Sequence, residues 1–301
     1  MRVRNKLDRY TPVIILLPAV IGIVVVSVLP SLDAVRMSMF DIQLLKDEHS
    51  FVGLQNYITA LKDPEFIKVI LNTIFFCVVS LFLGAVLAMK IATQLVREYP
   101  GKAFFRSIFL SPWVTPPLVT ATVWRILLSE NFGPVNTVLL KLGVIDQPIS
   151  FLGSTDQFLG VLSIPMLVII IINVWSIFPF MMVMFIAGLQ TVPKELYEAA
   201  QMDGANKRQQ FFKITLPSIM PVIQTSVLLE GIWQFNNFNI SYLVAKGGPL
   251  NLTKLLAVEV YNQAFANFKY GYASGVSVIM VLIVLIPSVF YIRDSLKSEK
   301  R

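Results

Sequence analysis

Charge is scarce in this chain. Of its 301 residues only 14% are Asp, Glu, Lys or Arg, and 55% are hydrophobic. Soluble domains carry about 25% charged residues, so a soluble protein of this composition would have to hide nearly its whole surface. The composition therefore points to an integral membrane protein. Histidine and cysteine are scarcer still, one of each: His49 and Cys77. A lone cysteine forms no internal disulfide, and Cys77 lies in an apolar run, where a thiol is inert. One histidine, in a polar loop with Asp47 and Glu48, excludes a conventional His or Cys metal site; neither metal nor cofactor is expected. No G-x4-G-K-[ST] segment occurs, so the chain binds no ATP through a P-loop. No convergent nucleophile, base or metal set marks an embedded enzyme, and no catalytic residue is assigned. The net charge of +7 reads as membrane orientation rather than nucleic-acid binding, so no nucleic-acid partner is expected.

Apolar runs are abundant instead. A spanning helix needs about 20 mostly apolar residues, and six such stretches occur: about 12–32, within 69–93, about 104–128, within the uncharged stretch 157–193, about 218–243 and within 272–292. The charge-free stretch Tyr10–Leu32 is longer than the ~7–15 residues of a signal-peptide core, and no small-x-small cleavage site precedes Asp33, so an uncleaved first membrane helix is expected.

Six spans put both termini on one side, and Lys and Arg decide which. The two tails and the 94–106 and 190–217 loops hold 15 of them; the opposite loops hold 8, including Lys46, Lys141 and Lys254. Both termini are expected in the cytoplasm. The outer loops carry order signals: Phe51-Val-Gly-Leu-Gln-Asn-Tyr57 before a short helix near 56–68, and the turns Asn131-Phe-Gly-Pro134 and Gly247-Gly248-Pro249.

Polar side chains at bilayer depth are costly and tend to line cavities. The fifth span carries Glu230, Trp233, Gln234, Asn236, Asn237 and Asn239 within ten residues. Helical spacing puts Glu230, Trp233/Gln234, Asn237 and Ser241 on one face, and Asn236 and Asn239 on the other. The fourth span adds Asn173 near Trp175, Phe178 and Phe180. Amides donate and accept hydrogen bonds and aromatic rings stack on C–H faces, which suits a neutral saccharide. Interhelical hydrogen bonding uses the same residue types. For Glu230 two partners fit: Arg125 of the third span, or a cationic or amino sugar.

The 190–217 loop carries four Lys or Arg between two apolar segments, which places it in the cytoplasm. Thr191 is a helix N-cap with Pro193 in the first turn, Gly204 supplies a sharp turn, Asn206 caps a second short helix running to Ile214, and Pro217 marks re-entry into the membrane. The expected form is a helix–turn–helix elbow.

Within it Glu198-Ala199-Ala200-x3-Gly204-x9-Ile214-x-Leu216-Pro217 resembles the signature loop of the permease subunits of binding-protein-dependent ABC importers. Asn72-Thr73, Phe104-Phe105-Arg106, Pro112-Trp113 and Gly188-Leu189-Gln190 are similar to the sugar branch, which includes the maltose and glycerol-3-phosphate types, and to its first, maltose-F-like subunit without that subunit's long N-terminal extension. The resemblance covers nearly the whole chain. It implies an all-α, six-span type I importer (MetI-like) permease fold in a bacterial or archaeal cell membrane. The parts are then residues 1–68 (cytoplasmic tail, first span and outer loop), a permease core at 69–292 with the coupling loop at 191–217, and a cytoplasmic tail at 293–301. It implies, as partners besides membrane lipid, a second permease on which the first helix packs, a cytoplasmic ATPase dimer docked on the loop, an extracytoplasmic sugar-binding protein and a saccharide. The family's transmembrane sugar site maps onto Asn173, Phe180, Trp233, Gln234 and Asn237. Gln234 stands where the maltose type has asparagine and Trp233 where it has phenylalanine, a departure from a maltose site. A self-sufficient secondary transporter or channel is the alternative, and would show inverted repeats or broken helices with paired ionisable residues.

Overall fold

The computed structural model describes residues 6–43 and 49–298; Arg2 and Arg4, Lys46, Asp47 and Glu48 of the loop beside His49, and Lys300 and Arg301 lie outside them. Long apolar runs become helices because only a helix pairs its own backbone at bilayer depth. Among the described residues five helices are long and apolar enough to cross a membrane: Ile15–Met37, Pro64–Leu95, Ile164–Gln190, Lys207–Phe235 and Tyr270–Arg293. They fall on the first, second, fourth, fifth and sixth expected spans. The third is not one helix, and Thr115-Pro116-Pro117 is the reason. Pro116 lacks an N–H and holds Thr115 extended at φ −71°, ψ 127°, so the helical ladder cannot run through.

By packing, the described residues up to Asp63 form one unit with Val260–Leu282, and Pro64–Glu259 form another with those from Ile283 onward. In the first unit, α1 (Lys6–Ile23) and α2 (Leu29–Met37) join through a π-helical turn at Val24–Val28. None of the apolar window of Ile15–Met37 is buried. A hairpin follows, β1 (Phe40–Asp41) antiparallel to β2 (Ser50–Phe51), with Phe40 opposite Phe51 and their rings edge to face at 5.3 Å. The Phe51–Tyr57 segment ties α3 (Gln55–Lys62) to it: Asn56 Nδ2 donates to Ser38 O and Phe40 O, and Tyr57 Oη meets Ser38 Oγ at 2.5 Å. The helix expected near 56–68 ends early, at Lys62, because Pro64 holds Asp63 extended and then begins the next helix.

The second unit is built on a seam between α4 (Pro64–Leu95) and α8 (Ile164–Gln190). Ser80, Gly84, Ala88 and Ala92 recur every four residues along α4 and are buried. Such small residues let two membrane helices approach closely, where packing contacts rather than water drive association. Ile177, Met181, Met182 and Phe185 of α8 fill the seam opposite. Between them in sequence come α5 (Lys102–Val114), α6 (Pro117–Leu127), α7 (Pro134–Lys141) and a small hairpin, β3 (Gln157–Leu159) with β4 (Leu162–Ser163), whose Ser163 Oγ caps α8 by accepting from Met166 N. Gly133 precedes α7 where a Cβ would lie 2.3 Å from Ser129 O, so only glycine fits. After α8 run α9 (Lys194–Met202), α10 (Lys207–Gln210) and α11 (Leu216–Phe235), and α11 packs on both α8 and α4. The loop before α12 (Leu256–Tyr261) is strapped to α4: Asn72 Nδ2 donates to Asn251 O and Lys254 O, Leu256 N donates to Thr73 Oγ1, and Lys254 pairs with Glu259 at 2.5 Å. The last helix, α13 (Tyr270–Ser298), returns to the second unit, where Tyr291 Oη meets Thr225 Oγ1 at 2.6 Å.

Ala88 has no room to grow. Ala88→Leu should cost ~1–3 kcal/mol through overpacking and lower the thermal unfolding midpoint of the detergent-solubilised protein. Val86→Leu, on an exposed face of the same helix, should leave it unchanged. Equal midpoints for the two variants would mean that the seam is not close-packed.

Candidate functional site

Two regions of the second unit bring the expected site residues together: a cleft between broken helices, and the elbow between α8 and α11.

The cleft, about 320 Å³, lies where two spans lose their helical ladder. One wall is the break in the third span, with Pro112, Trp113, Thr115 and Pro117. The other is the end of α11. That helix stops at Phe235, Asn236 is its C-cap, and a π-helical turn follows at Ile240–Val244. Irregular backbone at bilayer depth is tolerated where it lines a cavity. Asn173, Ser176 and Ile177 of α8 lie between the two walls.

The amides are linked in a row. Gln234 Nε2 donates to Glu230 Oε2 at 2.9 Å; Asn237 Nδ2 donates to Gln234 Oε1 at 2.8 Å and to Asn173 Oδ1 at 3.1 Å. The backbone N of Ile240 donates to Asn237 Oδ1 at 3.1 Å. Asn173 Nδ2 is buried with no hydrogen-bond partner. Trp233 is half exposed, and Phe180 stands edge-on behind it at 5.2 Å, with Trp113 at 6.1 Å from Phe180. Of the five residues expected here, Asn173, Trp233, Gln234 and Asn237 line the cleft, and Phe180 supports Trp233 from outside it. With N–H and C=O groups beside an indole face, the cleft can hydrogen-bond hydroxyls and cover a C–H face.

The helical-face argument fails beyond Phe235. Asn236 and Asn239, expected on the opposite face, line the same cleft, because α11 ends at Phe235 and the chain turns before helical structure resumes at Asn239. Ser241 does not share the cleft; its Oγ donates to Thr253 O at 2.5 Å and anchors the following loop. Among the described ion pairs none joins Glu230 to Arg125, which lines a separate cleft of about 380 Å³ with Ser129 and Glu130. The sequence reading missed Thr115, Pro117 and Ser176; the tandem prolines were the available signal for the first two.

The elbow is held by local bonds. α9 ends at Met202, and Gly204 turns the chain at φ +77°, where a residue with a Cβ is strained whatever the space around it. Asn206 then forms a capping box with Gln209: Gln209 N donates to Asn206 Oδ1, and Asn206 N donates to Gln209 Oε1. Ala205 N donates to Ala200 O at 2.8 Å, and Tyr197 Oη meets Thr215 Oγ1 at 2.9 Å, tying the two arms. Glu198, Ala199, Gly204 and Pro217 are exposed; Ala200, Ile214 and Leu216 are half-buried. Leu196, Met202 and Phe212 are apolar and exposed as well, and no residue of α9 is buried.

Two expected details differ. Thr191 does not start α9. It ends α8, its Oγ1 donating to Gly188 O at 2.8 Å, while Pro193 occupies the N-cap of α9 with no side-chain bond. Nor does the second arm stop at Ile214: it passes through a π-helical turn at Phe211–Thr215 into α11, so that Lys207–Phe235 is continuous. The wide turn opens the ladder just before Pro217, which has no N–H to contribute. At the start of α5, Lys102 Nζ donates to exposed Glu98 Oε1 at 2.7 Å, and this bond holds the Glu98 carboxyl below its ordinary pKa.

Comparison with known proteins adds identity to geometry. The family described as binding-protein-dependent transport system inner membrane component matches residues 80–296. The chain is 32% identical to the trehalose/maltose transport system permease protein MalF of Thermococcus litoralis, covering 93% of this chain and 92% of that one. It is 31% identical to the diacetylchitobiose uptake system permease protein NgcF of Streptomyces coelicolor, covering 94% and 82%. In fold it is similar to a chain of a bacterial alginate ABC transporter solved with an alginate-bound periplasmic protein, with a TM-score of 0.77 and 21% identity over 97% of this chain and 96% of that one.

Proposed function

The chain belongs to the family of binding-protein-dependent transport system inner membrane components, and from that premise we propose that it carries a saccharide through the cleft at Asn173, Trp233, Gln234 and Asn237. It is a membrane-embedded permease subunit of an ABC importer and not an enzyme; ATP is hydrolysed by a separate subunit, and a second permease and a binding protein complete the assembly. The amide row beside an indole face carries the saccharide reading. The named relatives that handle trehalose, maltose or diacetylchitobiose support the same substrate class. Residues 69–292 then form the permease core. The unburied first helix suits packing on the second permease, and the bias of Lys and Arg places both termini and residues 191–217 in the cytoplasm of a bacterial or archaeal cell.

In this reading Glu198, Ala199, Ala200 and the exposed apolar side chains of the elbow meet the ATPase. Closure of the ATPase dimer must favour the outward-facing state by several kcal/mol to switch the population. The decisive experiment is uptake into proteoliposomes holding the full complex, after a binding-protein panel of maltose, trehalose and N,N′-diacetylchitobiose has selected the sugar. Binding of none of the three would overturn this substrate assignment.

Three outcomes are expected. In a Cys77→Ala background, Lys207→Cys should resist an impermeant thiol reagent in intact cells and Leu250→Cys should react; the reverse pattern would sink the orientation. Gly204→Asp should abolish most sugar-dependent ATP hydrolysis while the complex still assembles, and normal coupled hydrolysis would remove the elbow from the coupling path. Asn237→Ala should slow uptake roughly 5- to 150-fold, the equivalent of ~1–3 kcal/mol for an unpaired polar group, with sugar affinity of the binding protein unchanged. Asn267→Ala, outside the cleft, should transport normally; equal losses in both would mean a general packing defect.

A further inference from the structure

Glu230 has no task in the proposed site. It lies one turn before Gln234 on α11, is 2% exposed and does not line the cleft. A carboxyl group at bilayer depth is costly and marks function by default. Its one described bond, from Gln234 Nε2, begins the row of amides.

Each amide has a donor end and an acceptor end, so the first bond dictates the sense of all the others. Facing a carboxyl oxygen, Gln234 turns its NH2 toward Glu230 and its carbonyl toward Asn237. Asn237 must answer with its NH2, which Asn173 in turn receives on Oδ1. The N–H of Ile240 on Asn237 Oδ1 locks the middle amide in the same sense. Reversing the row would set carbonyl against carbonyl, or the Asn237 NH2 against that N–H. The row ends at Asn173 Nδ2, unpartnered, on a side chain that is 1% exposed and lines the cleft. A buried donor without a partner is expensive, and the open cleft is where one can come from.

We propose that Glu230 is a positioning residue: acting through Gln234 and Asn237, it aims the Asn173 amide so that the cleft offers an N–H donor to an acceptor oxygen of the solute, a hydroxyl, ring or glycosidic oxygen of the saccharide. Glu230 itself does not touch the solute. The proposal rests on the cleft being the solute path.

The test is maximal uptake by the reconstituted complex at saturating binding protein, using labelled maltose, trehalose or N,N′-diacetylchitobiose as the panel above selects. Glu230→Leu and Glu230→Met should each slow uptake about tenfold, as loss of one polar contact does, while Glu230→Gln, whose carbonyl still accepts from Gln234, should stay within about twofold of wild type. Asn173→Asp, which replaces the donor with an acceptor, should be as slow as Glu230→Leu, and the double variant no slower than Asn173→Asp alone. Loss in the similarly sized methionine variant beside rescue by glutamine, together with this non-additivity, is not expected of a carboxyl that merely fills space. If Glu230→Gln is as slow as Glu230→Leu, or if the two losses multiply, the relay is wrong. If Asn237→Ala and Asn173→Asp slow uptake but Glu230→Leu and Glu230→Met do not, the relay falls and the cleft stands. If none of these variants alters uptake, the cleft is not the solute path and both readings fall.

Discussion

A backbone N–H or C=O left unpaired in hydrocarbon costs several kcal/mol, and two spans of this chain give up such pairs. The third breaks at Thr115-Pro116-Pro117 and the fifth beyond Phe235. Neither break could face lipid. Both face one cleft, where Asn237 Oδ1 accepts from the backbone N–H of Ile240 and the amides of Asn173 and Gln234 keep the surroundings polar. The cleft is therefore the place where the fold tolerates broken helices, and the same breaks make it polar. The unbroken α4–α8 seam carries the packing load beside it, with Ala88 and Ala92 letting α8 come close enough to hold Asn173 at the cleft.

How much of this was legible in the sequence follows from the same constraint. Long uncharged runs had one outcome, so five spans could be placed from composition alone. Gly204, Asn206 and Pro217 act through local backbone chemistry, and the elbow could be drawn from them. Thr191 could not be assigned, because a Thr before a Pro can close one helix as well as open the next, and the choice rests on where Gly188 O lies. Asn236 and Asn239 were misplaced for a different reason. Periodicity assumes a continuing helix, and nothing in Phe235-Asn236-Asn237-Phe238-Asn239 announces its end as Pro116 does. Polarity at bilayer depth was the signal available there, since three asparagines within four residues can be held only where the backbone too is free to bond elsewhere.

The elbow and the cleft lie at opposite ends of one element. Lys207–Phe235 is a continuous helix of 29 residues, about 43 Å long at 1.5 Å per residue. Its first turn is capped by the Asn206–Gln209 box, and Tyr197 of α9 ties to it further along at Thr215; its last turn holds Trp233 and Gln234 in the cleft. Coupling between distant sites needs a rigid element that both can bias, and here the covalent path is direct. A tilt imposed at the elbow moves Gln234, and with it Asn237 and the bond to Asn173 on α8. Because α8 carries Asn173 and also leads into α9, the row of amides closes a loop between the two arms of the elbow. The bond between Asn237 and Asn173, the single described hydrogen bond by which the amide row crosses from α8 to the broken end of the fifth span, stands with the direct packing of α11 on α8 among the contacts that a change in the angle between those arms would reach.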